Sequence, residues 1–249
     1  MLEDRPRKDE PFAKIFRRAY EEEKRGRLCI RRLELGNEIW RDENTNLVIR
    51  PIYPGFSENI IAKNPNEASG FIILEDETTV HGAWPGDLPM YAVADKLAGR
   101  TPRFLMGPHH GGPTDFKKSR KDSRTLFRQA VENVAPELAF MSVGSKNSYS
   151  HPRPGYLTLL ARQGCRVSCS QITTACDRSH LINDLPVFDG SGALGLRSPR
   201  TGTPCRGAIR LKFINNVLTP DEYTPIHLER VSRLRRPQCL KGLEQTSIR

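Results

Sequence analysis

Residues 103–143 read RFLMGPHHGGPTDFKKSRKDSRTLFRQAVENVAPELAFMSV, and the succession of patterns within them decides the fold class. A short apolar run, RFLMG, stops at a Gly-Pro break, and two adjacent histidines and a glycine pair follow. SRTLFRQAVENV then carries apolar residues at helical spacing, and ELAFMSV returns to a strand-like run. Strand, loop, helix, strand is the repeating unit of an α/β architecture. The same rhythm continues on both sides. Upstream, the turn WPGDLP leads into a helical stretch, MYAVADKLAG; downstream, the loop GSKNSYSHPRP leads into the helix GYLTLLARQG and the strand CRVSCSQI. The expected fold is therefore α/β.

Further out the pattern changes. Residues 12–25 have apolar positions at helical spacing with Gly26 as a stop, so an N-terminal helix is predicted over residues 1–26. Extended runs follow: RLCIRRLEL, EIW after the turn at Gly36 and Asn37, and NLVIRPIY ending at Pro54 and Gly55. SGFIILED contains the continuous apolar stretch FIIL, which predicts a strand buried on both faces. The Gly/Pro-rich stretch 177–204 reads as a long insertion, CRGAIRLKF as one more strand, and residues 216–249 as a basic tail.

No apolar run approaches the roughly 18–20 residues that cross a bilayer, so no membrane span is expected. The N-terminus MLEDRPRKDEPF carries charges where a secretory signal has an apolar core, which predicts a cytoplasmic address. Lys and Arg outnumber Asp and Glu by 39 to 29, a net charge of +10, and the basic residues include the C-terminal run RVSRLRRPQCLK. Such a balance attracts polyanions, nucleic acid among them, although a charged tail is more often a solvated extension than a nucleic-acid arm. The six cysteines are too few for a disulfide scaffold of 249 residues.

Three loops close candidate strands: PGD at 85–87, PHHGG at 108–112 and SVGSKNSYSHP at 142–152. In an alternating α/β fold the loops at one edge of the sheet converge, so Asp87, His109, His110 and His151 are expected to meet. A carboxylate with imidazoles suits a borderline divalent ion such as zinc or manganese. Asp87 taken alone would more often be a turn residue or helix N-cap. Two histidines flanked by Pro and Gly-Gly are harder to read as mere loop, because loop glycines let backbone approach a ligand.

The ordered set NEASGFIIL, PGDLP, FLMGPHHGG, SVGSKNSYSHP and CRGAIRL, covering roughly residues 64–215, resembles the metallo-β-lactamase superfamily, in its ComEC-like hydrolase branch. That resemblance implies an αββα sandwich, assigned to residues 27–215, and a metal-dependent hydrolase directed at a phosphodiester or nucleic acid. It implies that Asp87 bridges two metals and that His109 or His110 is a ligand of the second. His151, with Asn147 and Ser142, would stand at the substrate end. A two-metal centre activates water and clamps the attacked group.

The superfamily motif HxHxDH does not occur, since no histidine precedes His81. The chain therefore matches the C-terminal half of the sandwich, lacking its N-terminal portion, and little activity is expected from it in isolation. The other half would be encoded upstream, supplied by a complementing chain carrying HxHxDH, or dispensable to a non-catalytic nucleic-acid-binding or assembly subunit. A second constellation, Cys169, Cys176, His180 and Cys205, would make a structural zinc site, with Cys165 able to replace one ligand. Free, partly buried cysteines are the favoured reading, because the spacing fits no standard CxxC ribbon and cysteine is among the most readily buried residue types. His81 reads as a surface imidazole and His227 as a tail residue with no partner.

Overall fold

The computed structural model describes residues 11–29, 34–53, 66, 69–112, 120–145, 149–173, 175–176, 205, 209, 211–215, 217–220, 227, 229, 231–237 and 239. The chain divides into two compact units, Met1–Glu34 and Leu35–Arg249. The first contains helix α1 (Pro11–Lys24). On its exposed surface Arg18 and Glu22, one turn apart, approach to 2.9 Å.

The second unit is mixed α/β. Its strands β1 (Trp40–Asp42), β2 (Leu47–Tyr53), β3 (Phe71–Glu75), β4 (Val80–Trp84), β5 (Phe104–Met106), β6 (Leu138–Met141) and β7 (Arg166–Cys169) form one seven-stranded sheet in simple sequence order. β1 to β4 pair antiparallel, and β4 to β7 pair parallel. The parallel strands are joined through helices α2 (Met90–Leu97), α3 (Arg120–Val134) and α4 (Pro154–Arg162). Three crossovers of one hand, all stepping in one direction, set these helices on one face of the sheet.

The side chains record that arrangement. Phe71, Ile73, Leu105, Ala139, Met141 and Val167 point into a core with Val93 and Leu97 of α2, Val131 and Val134 of α3, and Leu157 and Leu160 of α4. Intervening residues Phe104, Leu138 and Phe140 face the other way, and Trp84, Ile209, Leu211 and Leu218 pack on them. Leu211 and Leu218 belong to a separate hairpin, β8 (Leu211–Ile214) with β9 (Val217–Pro220). Period-two alternation thus sends one set of side chains to the helices and the other to the hairpin.

Several expectations change. In β3, Phe71 and Ile73 are buried but Ile72 and Leu74 only partly so; the strand is covered fully on one face. Its last residue, Glu75, is buried and stands 2.9 Å from Arg50 and 2.6 Å from Arg100, so its charge is paired. The described ends of the predicted strand RLCIRRLEL, residues 27–29 and 34–35, are turn or irregular; residues 30–33 lie outside the described set. The division drawn after residue 215 falls inside the β8–β9 hairpin, and Val231 and Leu234 are core residues, not solvated tail. His81 is a buried β4 residue, 1% exposed, which corrects its reading as a surface imidazole. Its Nε2 meets Asp76 at 2.7 Å, and its ring meets Phe213 edge-on. Among the described residues no helix is long and apolar enough to cross a membrane.

Candidate functional site

The loops that follow β4, β5 and β6 leave the sheet at the same edge, because parallel strands present their C-terminal ends together. Backbone bonds tie those loops to one another. The His109 amide donates to the Gly86 carbonyl at 3.0 Å, joining the PGD and PHHGG loops, and the Arg153 amide donates to the Gly111 carbonyl at 2.8 Å, joining PHHGG to the third. The loop after β6 is fastened to the end of β7. Ser170 Oγ accepts from the Val143 amide and donates to the Val143 carbonyl, both at 2.7 Å, while Gln171 Oε1 accepts from the Ser145 amide.

These ties bring the expected residues together. Asp87 Oδ1 lies 3.4 Å from His110 Nε2, with the two side chains 41% and 50% exposed, so the pair is open to solvent and to a ligand. Asp87 is not spent on capping: the N-cap position of α2 is Pro89, which makes no side-chain bond. His110 Nδ1 stands 2.6 Å from the Ser142 carbonyl. Because a carbonyl only accepts, Nδ1 donates to it, and Nε2 is the ring nitrogen that faces Asp87. Ser142 therefore contributes through its backbone oxygen to this histidine.

His109 turns elsewhere, its ring meeting His151 edge-on at 5.4 Å between centroids. The exposed Tyr149 ring stacks on the outer side of His151 at 5.8 Å. Burial lowers the pKa of His109; the Asp87 charge opposes that effect and His110 adds to it. Burial likewise pushes His151 down to about 4, helped by His109, Arg153 and His110. A group with that pKa is neutral throughout the physiological range, so His151 presents an uncharged imidazole.

The backbone is shaped for this grouping. His109 and His110 both take the left-handed conformation, at φ 47° and 55°. That conformation costs an L-residue about 1–2 kcal/mol. The two rings diverge, His110 to Asp87 and His109 to His151. Gly111 is also left-handed, at φ 74°. At Gly112 a Cβ atom would collide with the His151 ring, so glycine there is what lets the third loop close.

The donor set can be weighed against a metal. Two ligands held at about 2.0–2.1 Å from one tetrahedral zinc stand about 3.3–3.4 Å apart, and the Asp87 Oδ1 to His110 Nε2 separation of 3.4 Å has that spacing. A carbonyl behind the other ring nitrogen is also the usual support of a liganding histidine. Asp87 and His110 therefore fit as two ligands. Among the described residues, however, no group of three His, Cys, Asp or Glu is arranged to hold an ion. Asn147 and His180 lie outside the described residues. Tyr149 and Ser170 escaped the sequence reading; the tyrosine two residues before His151 was the available signal for the stacked pair.

Of the second constellation, Cys169, Cys176 and Cys205 are buried cysteines in no disulfide, and so is Cys165. His227, expected to stand alone, is buried with Nε2 3.5 Å from Cys205 Sγ. No family model, curated protein or solved structure matches this chain.

Proposed function

We propose that the protein is a metal-dependent hydrolase of metallo-β-lactamase type, acting on a phosphodiester such as nucleic acid, with Asp87 and His110 contributing to the metal site. The observation that carries the reading is the pair itself: an exposed carboxylate oxygen and an exposed ring nitrogen, 3.4 Å apart, with the histidine's other nitrogen bonded to a fixed carbonyl. Of the two adjacent histidines, this favours His110 over His109 as the ligand. The ordered motifs around both residues are those on which the resemblance rests, and the α/β class of the fold is the class it implies.

A divalent ion, zinc or manganese and two ions in a complete centre, supplies Lewis acidity toward a phosphoryl oxygen. The chain's own residues prepare the surroundings. Asp87 offers the negative charge, and Ser142 fixes the tautomer and direction of His110. His151 stays neutral beside them, so its ring can donate to a phosphate oxygen without repelling a cation. The exposed Tyr149 face next to His151 offers a stacking surface for a base or sugar. Two ligands from this chain leave further positions to be filled, and the proposal assigns these to a complementing segment carrying HxHxDH.

The test measures zinc or manganese affinity by calorimetry, and hydrolysis of a chromogenic phosphodiester, with and without a chain supplying HxHxDH. Asp87→Ala and His110→Ala are expected to weaken metal binding at least about tenfold, and His109→Ala less. Unchanged affinity in Asp87→Ala, or no hydrolysis by the completed assembly, removes the hydrolase reading. The net charge of +10 supports a second reading, a non-catalytic nucleic-acid-binding subunit. It predicts that binding to duplex DNA weakens log-linearly with salt and survives Asp87→Ala, with no hydrolysis under any condition.

A further inference from the structure

Three rings lie in succession along the loops after β5 and β6. His109 meets His151 edge-on, at 5.4 Å between centroids, and Tyr149 lies against His151 nearly parallel, at 5.8 Å and 23° between planes. His151 is 8% exposed, whereas Tyr149 is 72% exposed, the most open of the large apolar side chains among the described residues. One face of the tyrosine thus rests on the imidazole, and the other is left to solvent. Ser150 between them is left-handed, at φ 57°, a conformation that an L-residue takes only at a cost. Arg153, two residues beyond His151, is exposed, and its amide is tied to the Gly111 carbonyl at 2.8 Å, so its side chain starts from the same fixed loop.

A single exposed aromatic is ordinary on a protein surface. The position of Tyr149 is what gives it meaning: it is stacked on a buried histidine that belongs to the Asp87 grouping. An aromatic face presented in that way is a platform for another flat ring, and every nucleobase has one. In a duplex both faces of an internal base are covered by its neighbours and its edge is paired, so it reaches such a platform only after unstacking and unpairing. In a single strand the base is already free to turn out. The exposed Arg153 guanidinium nearby suits a phosphate of the same strand.

We propose that Tyr149 stacks an unpaired nucleobase on its outer face and so makes the site selective for single-stranded nucleic acid, with the adjoining phosphate directed past His151 toward Asp87 and His110. This inference rests on the phosphodiester reading of that site and narrows it from nucleic acid in general to strands whose bases are free. The path is set by adjacent residues, since His109 touches His151 and its neighbour His110 faces Asp87. Stacking uses the π-face that all bases share, so selectivity is for the unpaired state of the strand and not for its sequence.

The experiment uses the full chain in a chelating buffer, where no strand is cut, and follows short labelled oligodeoxynucleotides by fluorescence anisotropy. At raised salt, where phosphate contacts have faded, the wild-type chain is expected to bind a single strand at least about tenfold more tightly than the duplex of the same sequence. Tyr149→Ala is expected to weaken single-strand binding by about 5- to 150-fold and to leave duplex binding as it was. The slope of log affinity against log salt should stay unchanged, because stacking releases no counterions. Tyr149→Phe keeps the ring and is expected to bind as the wild type does. Equal affinity for the two forms, an alanine variant indistinguishable from wild type, or a phenylalanine variant as weak as alanine overturns the proposal. So does a loss accompanied by a flatter salt slope, which marks a phosphate contact instead. A single strand carrying a stacking-sensitive fluorescent purine needs no variant: quenching by the wild-type chain supports the platform, and unchanged emission on binding overturns it. An oligoribonucleotide of the same sequence identifies the source, RNA or DNA, and selective binding of either single strand supports the proposal. None of these readouts needs a metal, so they stand if the Asp87 site fails its zinc and manganese test, and their failure leaves that test untouched.

Discussion

Asp76 organises the turn between β3 and β4 with one carboxylate. Its Oδ1 accepts from the Thr78 and Thr79 amides, each at 2.8 Å, and from the Thr78 hydroxyl at 3.0 Å, while Oδ2 meets His81 Nε2 at 2.7 Å. Burial by itself would raise the pKa of this group. The His81 bond and the two amides outweigh it, and the net effect is a carboxyl held well below its ordinary 3.8. A depressed folded-state pKa means that the unfolded chain takes up protons first as the pH falls. The contribution of Asp76 is therefore complete above about pH 3.8 and declines below it. Asp76→Ala is expected to lower stability by about 1–3 kcal/mol at neutral pH, because it strips a buried histidine and two amides of their acceptor. Urea titrations repeated from neutral pH downward should also show a shallower acid decline in the variant; an identical pH profile would exclude this linkage. The residue-level surprise has the same origin. His81 looked exposed in TTVHGAW because a histidine between a polar turn and a glycine gives no hint that Asp76, five positions earlier, will meet it under cover.

At the scale of elements, the helices were the most legible part. Met90, Val93 and Leu97 in α2, or Phe127, Ala130, Val131 and Val134 in α3, repeat at the three- and four-residue spacing that a helix presents to one neighbour, and these residues meet the sheet. The hairpin β8–β9 was the least legible. Its strands have four residues each, too short to show a period, and the turn signal is two asparagines, Asn215 and Asn216, of which Asn215 is left-handed at φ 50°. Helix ends follow local rules that can be improved upon. Ala98, which caps α2, is left-handed at φ 49° and exposed, with its amide donating to the Ala94 and Asp95 carbonyls. An L-residue with a Cβ bears a cost there that glycine does not. Ala98→Gly is expected to raise stability by about 1 kcal/mol, read as a higher urea midpoint at unchanged slope. A neutral or lower midpoint would mean that the α2 terminus relaxes out of this conformation.

For the whole molecule, the convergence of Asp87, His109, His110 and His151 was foreseeable because parallel strands in sequence order deliver consecutive loops to one edge. The approach of His227 to Cys205 was not, since no periodic element connects the two. The same topology leaves an asymmetry. With α2, α3 and α4 on one face of the sheet, Phe104, Leu138 and Phe140 on the other require separate cover, and Leu211 and Leu218 of the hairpin contribute it. Each strand of the hairpin has four residues, so a few side chains determine whether that apolar face is closed. Charges at both leucines, in the double variant Leu211→Asp/Leu218→Asp, would have to be desolvated to keep the contact. The expected result is a loss of about 2–4 kcal/mol together with a hairpin that releases from an otherwise folded sheet. Trp84 packs against Phe104 on this face, at 5.6 Å between ring centroids, whereas Trp40 is already 47% exposed. Release should therefore shift Trp84 emission to the red and increase binding of a hydrophobic dye while far-ultraviolet circular dichroism stays close to that of the wild type. If the double variant keeps both its stability and the Trp84 emission, Phe104, Leu138 and Phe140 are shielded by something other than the hairpin, and the two-sided arrangement of the core fails.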